Sequence, residues 1–249
     1  MRRIVKIPFV FEILLCVFLI ILFQIKYFSE YLIYSIAGVT SRSIFTDIIE
    51  ITFHILVFVV CIAVGSRIQK RTLASICFFK KASAGVWGAL VLCSIGFVLF
   101  HYYITFLFYS FINGWTTDFD KSEGSLLFNT INMALIPAIG EELLIKGLIF
   151  SSLKKRHSLI TAIVIASLLF AVCHLQPIRI VPLFMVSCFT FWIYLRTGSI
   201  VLPMFVHFIN NLFTLVLISD PFNEIGTFYA ALVLLAAGVY MLYTASKKR

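Results

Sequence analysis

Apolar residues follow one another along this chain in long stretches, and charged residues are confined to the short gaps between them. A helix needs about 20 mostly apolar residues to cross a hydrocarbon core of about 30 Å. Eight stretches are read as such helices: Pro8–Phe28, Ile44–Gly65, Gly85–Ile112, Leu126–Ser152, Ser158–Leu175, Ile180–Leu195, Ile200–Ser219 and Ile225–Tyr243. The expected fold is therefore all-α, a polytopic integral membrane protein of about eight transmembrane helices around a polar intramembrane cavity. Pro8–Phe28 is too long for a signal peptide and lacks a small-residue cleavage site, so it is read as a retained span. With no linker, low-complexity segment or convincing repeat, residues 1–249 are expected to form a single membrane domain. Gly85, Gly88 and Gly96 are expected to permit close helix packing.

Composition agrees, since 61% of the 249 residues are hydrophobic, 12% are charged and 27 are phenylalanine, with a mean hydropathy of +1.06. Positive residues in short loops stay on the cytoplasmic side. Arg2, Arg3 and Lys6, then Arg67, Lys70, Arg71, Lys80 and Lys81, then Lys154, Lys155 and Arg156, then Arg196, and finally Lys247, Lys248 and Arg249 all fall on one side of the predicted topology. Asp118, Asp120, Glu123, Asp220 and Glu224 fall on the other, with Arg42, Lys121 and Arg179. A cell-membrane protein with both termini in the cytoplasm is expected. The net charge of +9 thus reports topology; it suits contact with the lipid bilayer, and no nucleic-acid partner is expected. Of Cys16, Cys61, Cys77, Cys93, Cys173 and Cys188, all but Cys77 lie inside spans without metal-ligand spacing, so no disulfide framework and no cofactor or metal is expected.

Ionisable residues inside spans need a partner, water or a function. The fourth span carries Glu141, Glu142 and Lys146. Successive helical residues are offset by about 100°, so the adjacent glutamates face different neighbours, whereas Glu142 and Lys146 at i, i+4 share a face. That division pairs Glu142 with Lys146 and leaves Glu141 as a general-base candidate. The fifth span ends with Phe170 one turn before His174, and the seventh stacks His207 and Asn211. Pro137 and Pro203 each lie four residues before a candidate, where each is expected to free a carbonyl and bend its helix around a wet cavity. Counting along the helices places His207 near the cytoplasmic third, Glu141 near mid-depth and His174 toward the far end. The fifth span must therefore tilt, or end deep with Gln176 and Pro177 turning inside the protein. His54, one turn after Glu50, reads as an interfacial pair, and His101 as a core or interface residue.

The set Glu141-Glu142-xxx-Lys146, Phe170-xxx-His174 and His207-xxx-Asn211 resembles the motifs of the CAAX protease and bacteriocin-processing family of intramembrane peptidases, also called the Abi family. The resemblance covers residues 126–217, read as the catalytic core, and Lys146 stands where the family usually has arginine. Lysine lacks the planar fork of arginine, so a looser hold on Glu142 is expected. The resemblance implies an endopeptidase in which Glu141 and His174 activate a water while His207 and Asn211 stabilise the oxyanion, with Glu142, Lys146 and Phe170 in support. It implies a membrane-associated or lipid-modified peptide or protein substrate, as in pheromone or bacteriocin maturation or CAAX-type processing, and resembles what short bacterial members do.

Four other readings are weighed against this one. Two histidines and a carboxylate suit a zinc peptidase, though HExxH spacing is absent. Cys173 as nucleophile would need a histidine from another helix. A non-catalytic membrane binding or bacteriocin immunity protein would account for the lysine, and a transporter would show interrupted helices in both halves.

Overall fold

The computed structural model describes residues 43–77, 79–113, 125–216 and 225–247. The expected span Pro8–Phe28, the acids between 118 and 123, Asp220, Glu224 and the last two residues lie outside them. All regular structure among the described residues is helical: α1 (Ile44–Ile68), α2 (Leu73–Ile76), α3 (Ala84–Asn113), α4 (Leu126–Asn129), α5 (Ile136–Glu142), α6 (Ser151–Leu153), α7 (Leu159–Cys173), α8 (Ile180–Thr197), α9 (Val201–Val216) and α10 (Ile225–Lys247). Among the described residues four helices are long and apolar enough to cross a membrane, within α1, α3, α8 and α10, and two shorter apolar ones lie in α7 and α9. The chain is a membrane protein, helical throughout its described regular structure.

From Leu126 to Leu153 the backbone is helical throughout, but its winding changes. Two wider π-helical segments, Thr130–Leu135 and Leu143–Phe150, interrupt the α-helical winding and flank the short α5 that carries the two glutamates. Such widenings are rare and gather at functional sites. Pro137 has no N–H to give to the preceding turn, and it sits where the first wide segment passes into α5.

This central helix runs parallel to α1, because successive contacts advance along both together. His54 meets Asn132, Phe58 lies under Gly140, and Gly65 lies against Leu148. A Cβ on Gly140 would stand 2.3 Å from the Phe58 ring, so only glycine admits that ring beside Glu141. After α1 the chain folds back onto the central helix. Gln69 donates to the Leu148 carbonyl at 3.2 Å, and the Arg71 guanidinium donates to the Gly147 carbonyl and the Ser151 hydroxyl. Backbone acceptors at the end of a π segment are thereby paired, as an apolar environment demands.

One apolar core joins the second half of the central helix to α1, α7 and α8 through residues such as Leu148, Phe150, Ala166 and Phe191. A second joins α3, α8, α9 and α10 through Leu90, Ile193, Leu202, Val206 and Leu242. The large apolar residues left exposed on α1 and α10, such as Leu56, Val59, Val233 and Tyr240, suit a lipid-facing surface. Basic segments gather at one end of the bundle: Gln69 reaches Leu148, Lys80 lies near Gly198, and Arg196 lies over the Tyr243 ring at 4.6 Å. Cys61, Cys77, Cys93 and Cys188 are free thiols.

Two expectations about bending are corrected. Pro203 is the third residue of α9, and the first N–H groups of a helix have no intrahelical acceptor, so Pro203 removes no bond there and starts the helix without kinking it. The fifth span ends early, since α7 has 15 residues, about 22 Å at ~1.5 Å per residue. The turn that follows is not enclosed: Gln176 is half-buried and accepts from Arg179 at 2.9 Å, but Leu175 and Pro177 are exposed. Leu175 takes a left-handed φ of 51°, which reverses the chain in one residue.

Of the three glycines of α3, Gly96 alone is required to be small. A Cβ there would stand 2.4 Å from the backbone nitrogen of Leu235, and one on Gly238 of α10 would stand 2.5 Å from that of Cys93, whereas Gly88 has nothing within 4 Å. Gly96→Leu or Gly238→Leu is expected to force α3 and α10 apart and destabilise the protein by at least about 1–3 kcal/mol. Thermal melts in detergent, with Gly88→Ala as the unchanged control, measure this.

Candidate functional site

The central helix delivers Glu141 and Glu142 from α5 and Lys146 from the second π segment, and all three are buried. Lys146 is only 1% exposed. Its ammonium pairs with the Glu142 carboxylate, donates to the Thr190 hydroxyl at 2.9 Å and lies 4.3 Å from the centre of the Phe191 ring. The lysine is thus held by an anion, a hydroxyl oxygen and a π face at once, the last two supplied by α8. A compact ammonium suits these converging partners, and its hold on Glu142 is not the looser one expected from losing arginine's fork.

The second oxygen of Glu142 reaches α9, where His207 Nδ1 lies 3.1 Å from Oε1. The opposite ring nitrogen, Nε2, lies 3.7 Å from Glu141 Oε2. One imidazole therefore stands between both glutamates, so the two carboxylates that face different neighbours on their own helix converge on a third group. A carboxylate accepting from Nδ1–H orients the ring and fixes which nitrogen faces Glu141.

His174 caps the C-terminus of α7. Its Nδ1 lies 2.8 Å from the Phe170 carbonyl oxygen. A carbonyl oxygen only accepts, so Nδ1 carries the proton, and in the neutral ring Nε2 is left as an acceptor. Phe170 stands between the two histidines, edge-on to His174 at 5.0 Å and to His207 at 5.6 Å between ring centres. Glu141, Glu142, Lys146, Phe170, His174 and His207 thus form one contiguous cluster. Asn211 is half-buried on α9, one turn beyond His207.

Several participants were not legible in the motifs. Thr190 and Phe191 look like ordinary residues of an apolar helix, and nothing in their spacing marks them. Asn132, 1% exposed, accepts at Oδ1 from His54 Nδ1 at 2.9 Å, while His54 stacks on Phe58 at 5.1 Å. His54 thus meets the central helix as well as lying one turn after Glu50, which is buried. The signal that marks this region is Asn129 and Asn132 at i, i+3 in an apolar run, the spacing of a shared helix face. His101 is buried and stacks with Phe97 at 6.1 Å. Among the described residues no group of three or more His, Cys, Asp or Glu is placed to hold a metal ion; the two nitrogens of His207 face different carboxylates and do not converge on one point.

Removing one member of a buried ion pair leaves an uncompensated charge, typically at a cost of about 3–5 kcal/mol. Lys146→Met is expected to lower stability by that order, and the double variant Glu142→Gln/Lys146→Met to recover much of it. Thermal melts of the purified variants test the coupling.

Residues 123–213 match the model of the Rce1-like family, described as type II CAAX prenyl endopeptidase Rce1-like. No curated protein and no solved structure matches the chain. The matched stretch begins just before the central helix, ends within α9 and contains every residue of the cluster. The segment that builds this site is thus similar in sequence to the Rce1-like type II CAAX prenyl endopeptidases, over a little more than a third of the chain.

Proposed function

We propose that the protein is an intramembrane endopeptidase that cleaves a membrane-associated or lipid-modified peptide or protein with a water activated by Glu141. The observation that carries this reading is the imidazole of His207 set between two buried carboxylates, inside the segment that matches the CAAX protease family.

In this mechanism Glu141 takes a proton from a water held with His174. The hydroxide attacks the scissile carbonyl carbon. His207, oriented by Glu142 through Nδ1, and the carboxamide of Asn211 donate to the oxyanion. Collapse of the tetrahedral intermediate expels the amine, which takes its proton from Glu141. Lys146 pairs with one oxygen of Glu142 while the other holds His207, and Phe170 sets the spacing of the two histidines. No metal enters these steps. The basic end of the bundle would face the cytoplasm by the positive-inside rule, which places the site within reach of a substrate inserted from the inner leaflet. Peptide pheromone or bacteriocin maturation suits this arrangement as well as processing of a prenylated C-terminus.

Glu141→Gln is expected to abolish release of a defined peptide from cells at matched membrane abundance, and zinc chelation to leave release by the wild type unchanged. His207→Ala and Asn211→Ala are expected to lower kcat by about 10²–10³ each, the usual loss for an oxyanion donor. Identical peptide profiles from wild-type and Glu141→Gln cells would instead indicate a protein that works by binding, as an immunity protein would. Loss of cleavage on chelation would indicate a zinc peptidase.

A further inference from the structure

Asn210, the neighbour of the motif residue Asn211, is the more deeply placed of the two. It is 5% exposed, and among the described residues its Oδ1 has no hydrogen-bond partner. Three residues after His207, it lies near the same face of α9, and α9 packs along the first π segment and α5. Asn132 of that segment is buried as well and meets His54 of α1.

A peptide drawn into a membrane protein in extended form loses the water on its backbone N–H and C=O groups, and the protein has to replace those bonds. A carboxamide offers both a donor and an acceptor, so it can pair with a peptide backbone whatever the side chains. A buried amide oxygen without a partner is unfavourable in the resting protein, and it is relieved when a ligand N–H arrives. We propose that Asn210 is a substrate-binding residue whose carboxamide hydrogen-bonds the backbone of an extended peptide beside the scissile bond. This rests on the protease reading for its substrate class. It adds a group that binds without taking part in water activation.

The test uses a fluorescent S-farnesylated CAAX peptide and full-length protein in detergent. Binding by anisotropy is compared between Glu141→Gln and Glu141→Gln/Asn210→Leu, with the melting temperature of each. Leucine matches asparagine in size and has no unpaired oxygen, so the expected result is at least tenfold weaker binding with an equal or higher melting temperature. A series of singly N-methylated peptides should contain one whose methyl group weakens binding only when Asn210 is present. Equal affinity of the two proteins, no binding by Glu141→Gln, or a fall of several degrees in melting temperature with Asn210→Leu would overturn the proposal. Intact peptide after incubation with the wild type defeats the protease reading alone, since the binding comparison does not use cleavage.

Discussion

An ammonium group with almost no access to solvent is the constraint around which this bundle is arranged. Lys146 can stay charged only if anion, dipole and π face are all brought to it, and it takes one from its own helix and two from α8. Glu142, neutralised on one oxygen by that lysine, uses the other to fix His207 on α9. Three helices are therefore tied together by a single chain of charge-assisted contacts. Such a chain adds little net stability over a well-packed apolar core, because desolvation offsets much of the attraction. Its value lies in permitting few alternative arrangements, which suits a site where an imidazole must meet a second carboxylate.

The winding of the central helix works to the same end. Both π segments adjoin α5, and the acceptors at the end of the second are taken up by Gln69 and Arg71 from the turn after α1. On the other flank, Gly140 lets the Phe58 ring lie against the backbone beside Glu141. The glutamates are thus fixed from two sides by groups that carry no chemistry. The small-residue contact between α3 and α10 is a separate device: backbone meets backbone at Gly96 and Gly238, far from the ionised cluster in sequence, and holds that pair of helices by van der Waals contact where lipid supplies no hydrophobic drive.

Membrane class, the helical fold and the residues of the cluster were legible from the chain alone. Hydropathy runs and confined charges follow from the cost of exposing polar groups to lipid, and that cost leaves a mark at every position of a span. The Glu142–Lys146 pairing was legible for a similar reason, since i, i+4 geometry is local and survives the wider winding of the helix. The site motifs could be placed on three helices because ionised side chains in apolar runs are too costly to occur without a partner.

What the tertiary structure decided is everything that depends on direction and depth between helices. That His207 meets both glutamates, that Thr190 and Phe191 complete the lysine's shell, and that His54 belongs to Asn132 all require helices remote in sequence to be set side by side. Asn210 and Asn211 are equivalent in composition, and only the packing of α9 makes one deeply buried and the other half-exposed. Pro203 reads as a kink until the start of α9 is known, because a missing N–H matters only where an acceptor waits for it. The chain by itself determined which groups must be paired; the packing of parallel and crossing helices determined with what, because a charge buried away from water accepts any partner of the right polarity that geometry brings within reach.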